Sequence, residues 1–199
     1  MSRIRRRSNP RSSGRGKALW IWIAAVVVAV AVLIGGLAWA SRPDPLKPQA
    51  NFDNNGGTGQ PVDDIKCATS EQLAFHIHAH LDIFADGRKV RVPSQIGIPG
   101  RCLYWLHTHD SSGVIHVESP VKRTYTLGNF FDVWGAPLSR KKVLSFDVSS
   151  SEPLRVYVDG RLYKGNPRDI PLEEHEEIAL VIGRMNGRPP ASYDFPLGD

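Results

Sequence analysis

Residues Phe75 to Ile83 read Phe-His-Ile-His-Ala-His-Leu-Asp-Ile, with apolar and polar side chains alternating at every step. A β-strand sends successive side chains to opposite faces. As a strand, this stretch places Phe75, Ile77, Ala79, Leu81 and Ile83 on one face. His76, His78, His80 and Asp82 fall on the other. One face is built to enter a hydrophobic core, and the opposite face is imidazole.

A second group follows. Residues 103–109 predict a strand, Asp110-Ser111-Ser112-Gly113 a turn, and Val114 to Glu118 the return strand. Gly113 closing a short polar loop is a hairpin signal. In that register His107 sits across from His116, with Cβ atoms about 4.5–5.5 Å apart. His107, His109, His116 and Glu118 share a face, with Asp110 at the turn. Six of the chain's seven histidines therefore lie between positions 75 and 118.

Neutral imidazole ligates Zn, Cu, Fe and Ni. Alternate histidines on a strand are separated by about 6.5 Å at Cα, within reach of one ion. His76 and His80 are about 13 Å apart by the same rise, so either two of the three ligate one ion and the third stands outside it, or there are two sites. The preferred ligands are His78, His80, His107 and His109, followed by His116 and His76. Asp82, Asp110 and Glu118 are placed to orient ring nitrogens from outside. Blue copper needs Cys, two His and usually an axial Met. The methionines are Met1 and Met185 alone, which disfavours that centre and a methionine-based copper(I) carrier. An all-histidine site suits zinc(II) or copper(II). An open coordination position would make it catalytic, as in a metal-dependent hydrolase, lyase or oxygenase. The competing reading without metal is a hydrogen-bonded or pH-sensing histidine cluster in a structural or interaction domain.

The chain divides by composition. Residues 1–17 hold seven basic residues and no acid. Without those seven of the chain's 25 basic residues, 18 face 20 acids, so the basic balance belongs to the tail. It gives no footing for nucleic-acid binding by the remainder. Residues 18–40 carry no charge and are long enough to cross a bilayer, where about 20 apolar residues suffice. Trp20, Trp22 and Trp39 sit near its ends. The basic tail places the N-terminus in the cytoplasm and the rest of the chain outside. Ala38-Trp39-Ala40 leaves open a signal peptide cleaved near Ala40, which exports the remainder equally. Residues 41–64, rich in Pro, Gly, Asn and Asp, read as a disordered linker. Residues 65–199 form the folded, extracytoplasmic part. Cys67 and Cys102 fit a disulfide in that compartment, closing a loop worth about 4 kcal/mol. The alternative is a thiolate metal ligand.

Within residues 65–199, Asp86-Gly87 and Asp159-Gly160 each separate two strand-like runs, as hairpin turns do. Thr126 is a candidate N-cap, Gly135 a C-cap and Pro137 a stop for one short helix bearing Leu127, Phe130, Phe131 and Trp134. Residues 143–148 and 178–182 read as further strands, and Glu173 to Glu177 as an acidic turn around His175. The expected fold is mainly β, antiparallel and sandwich- or barrel-like, with one short α-helix, preceded by a single transmembrane helix.

The segments His76-Ile-His-Ala-His-Leu81, His107-Thr-His-Asp-Ser-Ser-Gly-Val-Ile-His-Val-Glu-Ser119 and Tyr125-Thr-Leu-Gly-Asn-Phe-Phe-Asp-Val-Trp-Gly135 together resemble a family of prokaryotic membrane-anchored proteins of unknown function. The resemblance covers most of residues 75–135. It implies membrane anchoring and carries no activity, partner or catalytic residue. The H-x-H pairs are also similar to those of α-type carbonic anhydrases, cupins and multicopper oxidases, whose remaining signatures are absent here.

Overall fold

The computed structural model describes residues 57–196. The basic tail, the predicted membrane span and the linker up to residue 56 lie outside the described residues. Among the described residues no helix is long and apolar enough to cross a membrane. The end of the expected linker lies against the domain. Val62 and Ile65 exchange backbone hydrogen bonds of 3.0 and 2.7 Å, and the Tyr104 hydroxyl donates to the Gln60 carbonyl at 2.5 Å.

The alternating stretch forms β2 (Phe75–Ala85), the long central strand of a seven-stranded sheet. Its first half pairs antiparallel with β6 (Val114–Ser119), and its second half pairs on the same edge with β3 (Arg88–Val90). The β2–β3 turn has Asp86 at φ 48° and Gly87 at φ 81°. These left-handed values are what a two-residue hairpin of matching twist needs. The same turn, at Asp159 and Gly160, joins β9 (Leu154–Val158) to β10 (Arg161–Tyr163).

On its other edge β2 pairs with β11 (Glu176–Ile182), and this pairing is parallel. The sheet is thus mixed rather than wholly antiparallel, in the order β10-β9-β11-β2-β6 and then Leu106–His107 (β5). Hairpins force antiparallel neighbours, but β11 returns from the far end of the chain and its direction is not set by a turn. The sheet does not close: β10 and β5 are its two ends, which excludes the barrel.

On one side Ile77 and Ala79 align with Val117 and Ile115, and on the other Leu81, Ile83 and Ala85 align with Ile178, Leu180 and Ile182, with Phe75 on the same face of β2. Together they make one apolar face. The helix α1 (Leu127–Trp134) joins the same hydrophobic cluster through Leu127, Phe130, Phe131, Val133 and Trp134. Each such side chain contributes about 1.5–3 kcal/mol on burial. Thr126 caps α1 by accepting from the Asn129 amide, and Asn129 accepts in return from the Thr126 amide. Gly135 ends it at φ 73°.

The predicted strand 103–109 is broken at Trp105. β4 (Leu103–Tyr104) pairs with β1 (Cys67–Ala68), whereas β5 pairs with β6. The small β1–β4 ladder is closed by the Cys67–Cys102 disulfide, with Cα atoms 5.4 Å apart. This links the segment entering β2 to the segment entering β5 across 35 positions. A two-stranded pair of β7 (Lys142–Val143) and β8 (Phe146–Asp147) stands apart from the main sheet.

Candidate metal centre

The face of the sheet opposite the apolar core carries the histidines. His78 is directly opposite His116, and His116 directly opposite His107, so three adjacent strands bring three imidazoles into one row. His76 is opposite Glu118 in the next row. His109 lies just past the end of β5. Its backbone is held because Gln95 donates to the carbonyls of Thr108 (2.9 Å) and His109 (3.1 Å). Thr108 between the two histidines is fully buried, its hydroxyl donating to the Pro93 carbonyl.

These residues form one compact cluster. The Nε2 atoms of His107 and His109 are 3.2 Å apart, and those of His76 and His78 are 3.0 Å apart. The His116 ring is stacked on His107 at 5.4 Å and meets His78 and His109 edge-on at 4.6 and 4.5 Å. Glu118 Oε1 stands 3.6 Å from His76 Nε2, from His107 Nε2 and from His116 Nδ1. Glu118 was expected outside the ligand ring; the fold sets it at the middle.

Burial grades across the cluster. His107 is fully enclosed, and His78, His116 and Glu118 are buried, whereas His76 and His109 keep 34% and 45% of their side chains exposed. The cluster is closed beneath and open at two rims. Glu71, 3.9 Å from His109 Nε2, adds a carboxylate at one rim.

The protonation pattern suits ligation. His107 Nδ1 donates to the Tyr104 carbonyl at 2.8 Å. A carbonyl only accepts, so Nδ1 carries the hydrogen and Nε2 presents its lone pair to the cluster. Burial pushes the His107 pKa down to about 4, against the opposing pull of Glu118, so the ring is neutral at neutral pH. Burial alone would raise the Glu118 carboxyl, but His116 together with His107 and His76 outweighs it and holds the carboxyl below its usual range. Glu118 Oε2 and His116 Nδ1 are nevertheless buried without a hydrogen-bond partner. A buried polar atom left unpaired is costly, and such atoms call for an explanation.

A bound cation would supply one. His107, His109, His116 and Glu118 present one ligand atom each, all within 4.8 Å of one another. Tetrahedral zinc with Zn–N bonds of about 2.0–2.1 Å has ligand atoms roughly 3.3 Å apart. The 3.2 and 3.6 Å separations found here fit that with small adjustments. His76, His78 and His116 form a second such set.

His80 is separated from the others. Its Nδ1 is 2.6 Å from Glu177 Oε2, its Nε2 donates to the Ser112 carbonyl at 3.0 Å, and its ring stacks on Tyr193 at 3.8 Å. Both ring nitrogens are thus engaged. Gly113 permits this approach: at φ 104°, a Cβ there would lie 2.5 Å from the Leu81 carbonyl oxygen and 3.0 Å from His80 Nε2. Asp82 pairs with Lys89. His80, Asp82 and Glu177 constitute a third, fully buried grouping. Burial raises the Glu177 carboxyl, with His80 opposing. Asp110 sits at the exposed turn and accepts from the Ser112 amide, and hydrogen bonds from Ser112 hold its carboxyl below the usual range.

Glu176 and Glu177 are not in an acidic turn but are the first residues of β11, and both are buried. Their partner, the parallel segment Ala79–His80, is distant in sequence. The alternation Glu177, Ala179, Val181 was the available signal, masked by the neighbouring run of acids. His175 stacks on Phe195 at 4.5 Å and pairs with Glu174, half exposed. No protein family, curated protein or solved structure matches this chain.

Proposed function

We propose that this protein is a membrane-anchored, extracytoplasmic metal-binding protein that takes zinc(II) or copper(II) at His107, His109, His116 and Glu118. The observation that carries the reading is the convergence of these four donors around a buried His107 whose Nδ1–H is fixed by the Tyr104 carbonyl. Such an outer hydrogen bond orients an imidazole and makes it a better ligand. Four protein donors fill a tetrahedral shell, which favours holding an ion over activating water on it. The uncharged run at 18–40 supports the anchor, and the disulfide supports an oxidising compartment.

The specific competitor is a hydrogen-bonded cluster, favoured by the buried His80–Glu177 pair and by ring-nitrogen separations that also suit N–H···N bonds. Elemental mass spectrometry of the chain, purified without chelator or histidine tag, separates the two. Near-stoichiometric zinc or copper, lost in a His107→Ala/His116→Ala variant, is the expected result. A metal-free protein that binds neither ion at micromolar levels would refute the proposal in favour of the hydrogen-bonded cluster.

A further inference from the structure

A tetrahedral ion takes four donors, and the cluster around His116 offers five imidazoles and a carboxylate. Once His107, His109, His116 and Glu118 are assigned, His76 and His78 remain, and they are not disposed like solvated strand residues. Their Nε2 atoms converge to 3.0 Å although alternate residues on a strand start about 6.5 Å apart at Cα. His107 and His109 do the same at 3.2 Å, with the rings of each pair crossed at 69° and 81°. The same chelating arrangement thus occurs twice, on strands that flank β6.

What stands between the two pairs is common to both. His116 meets His78 on one side and His109 on the other, edge to face in each case. It belongs to both ligand sets, and with an ion on each side it can release its remaining N–H proton to solvent and become an imidazolate with a lone pair on each ring nitrogen. Glu118 Oε1 is equally far, 3.6 Å, from a nitrogen of either pair, while its Oε2 is buried with no hydrogen-bond partner. A carboxylate with one oxygen central and the other unpaired is suited to bridging.

Building on the metal reading above, we propose that the histidine face holds two divalent ions, the second on His76 and His78, with His116 and Glu118 shared between them. The two positions differ. The inner ion rests on fully enclosed His107 and buried Glu118, with half-exposed His109 at its own rim. The outer one lies beside His76, a third of which is exposed, and its histidine set supplies only three imidazoles. Its solvent side is reached past His76, which makes it the more exchangeable member of the pair. Glu118, with Glu71 and Asp110 at the rims, offsets the added positive charge.

The test is a titration of the metal-free full-length chain, in mild detergent and without a histidine tag, with zinc(II), counting bound ions by native mass spectrometry. Two ions per chain are expected, falling to one in His76→Ala/His78→Ala and in the milder His76→Gln. Retained circular dichroism and retention of the tighter ion show that a variant is folded. One ion in the parent chain, unchanged in the variants, overturns the second site and leaves the metal reading intact. No ion at all overturns both. Two ions in parent and variants alike overturn the assignment to His76 and His78. Copper(II) tests the sharing: two ions joined through His116 couple magnetically and give a diminished paramagnetic resonance signal, whereas an undiminished signal from two ions overturns the shared ligand.

Discussion

Replacing Glu118 with glutamine separates a metal centre from a hydrogen-bonded cluster by how its effect on stability depends on metal. Without metal, the carboxylate is buried at 3% exposure, has one oxygen unpartnered, and has no nitrogen closer than 3.6 Å among its ring neighbours His76, His107 and His116. The imidazoles hold the carboxyl below its usual range, which offsets the cost of burying an anion with one unpaired oxygen, so Glu118→Gln in chelator is expected to differ little from the parent in stability. With metal the two separate. An ion at 100 times its dissociation constant stabilises a fold by about 2.7 kcal/mol. For a domain of this size that raises Tm by roughly 8–13 °C. Loss of the carboxylate, taken as a 100-fold weakening, leaves about 0.4 kcal/mol, or roughly 2 °C, at the same zinc concentration. Differential scanning calorimetry of both proteins in chelator and in zinc(II) measures all four states. If Glu118→Gln lowers Tm equally in chelator and in zinc, the carboxylate is a structural partner of the imidazoles and the argument fails.

Burial, with Glu173 and Asp159 adding to it, raises the pKa of Glu176 to about 7. A raised folded-state pKa stabilises the fold fully below the usual carboxylate range and loses that contribution as pH climbs through about 7. The parent should therefore lose up to about 3 kcal/mol from this group between pH 4.5 and 7. Glu176→Gln should not, so urea midpoints of the two should diverge as pH rises, and parallel profiles would contradict the burial argument. Removing the bridge with Cys67→Ser/Cys102→Ser should cost about 4 kcal/mol, from the 35-residue separation it closes. Chemical denaturation reads this directly, and metal content should survive, because both sulfurs are committed to the disulfide.

Local order along the chain was enough to determine much of this protein. The alternation in β2 assigned each histidine to a face, because the period of a strand is fixed by the backbone. Asp-Gly pairs set two hairpin turns through their left-handed φ values, and Thr126 and Gly135 bounded α1 through their capping chemistry. The short loop after His109 fixed the pairing of His107 with His116. What tertiary structure alone decided involves partners far apart in sequence. The parallel docking of β11 on β2 brought Glu177 to His80 and grouped that histidine with Glu177 and Asp82, apart from the other five. The break at Trp105 and the depth of the sheet moved Glu118 from the periphery to the centre, 3.6 Å from three rings. Strand periodicity says which way a side chain points, but which strand lies alongside, and in which direction, depends on burying the whole apolar face at once, and no local stretch of sequence holds that information.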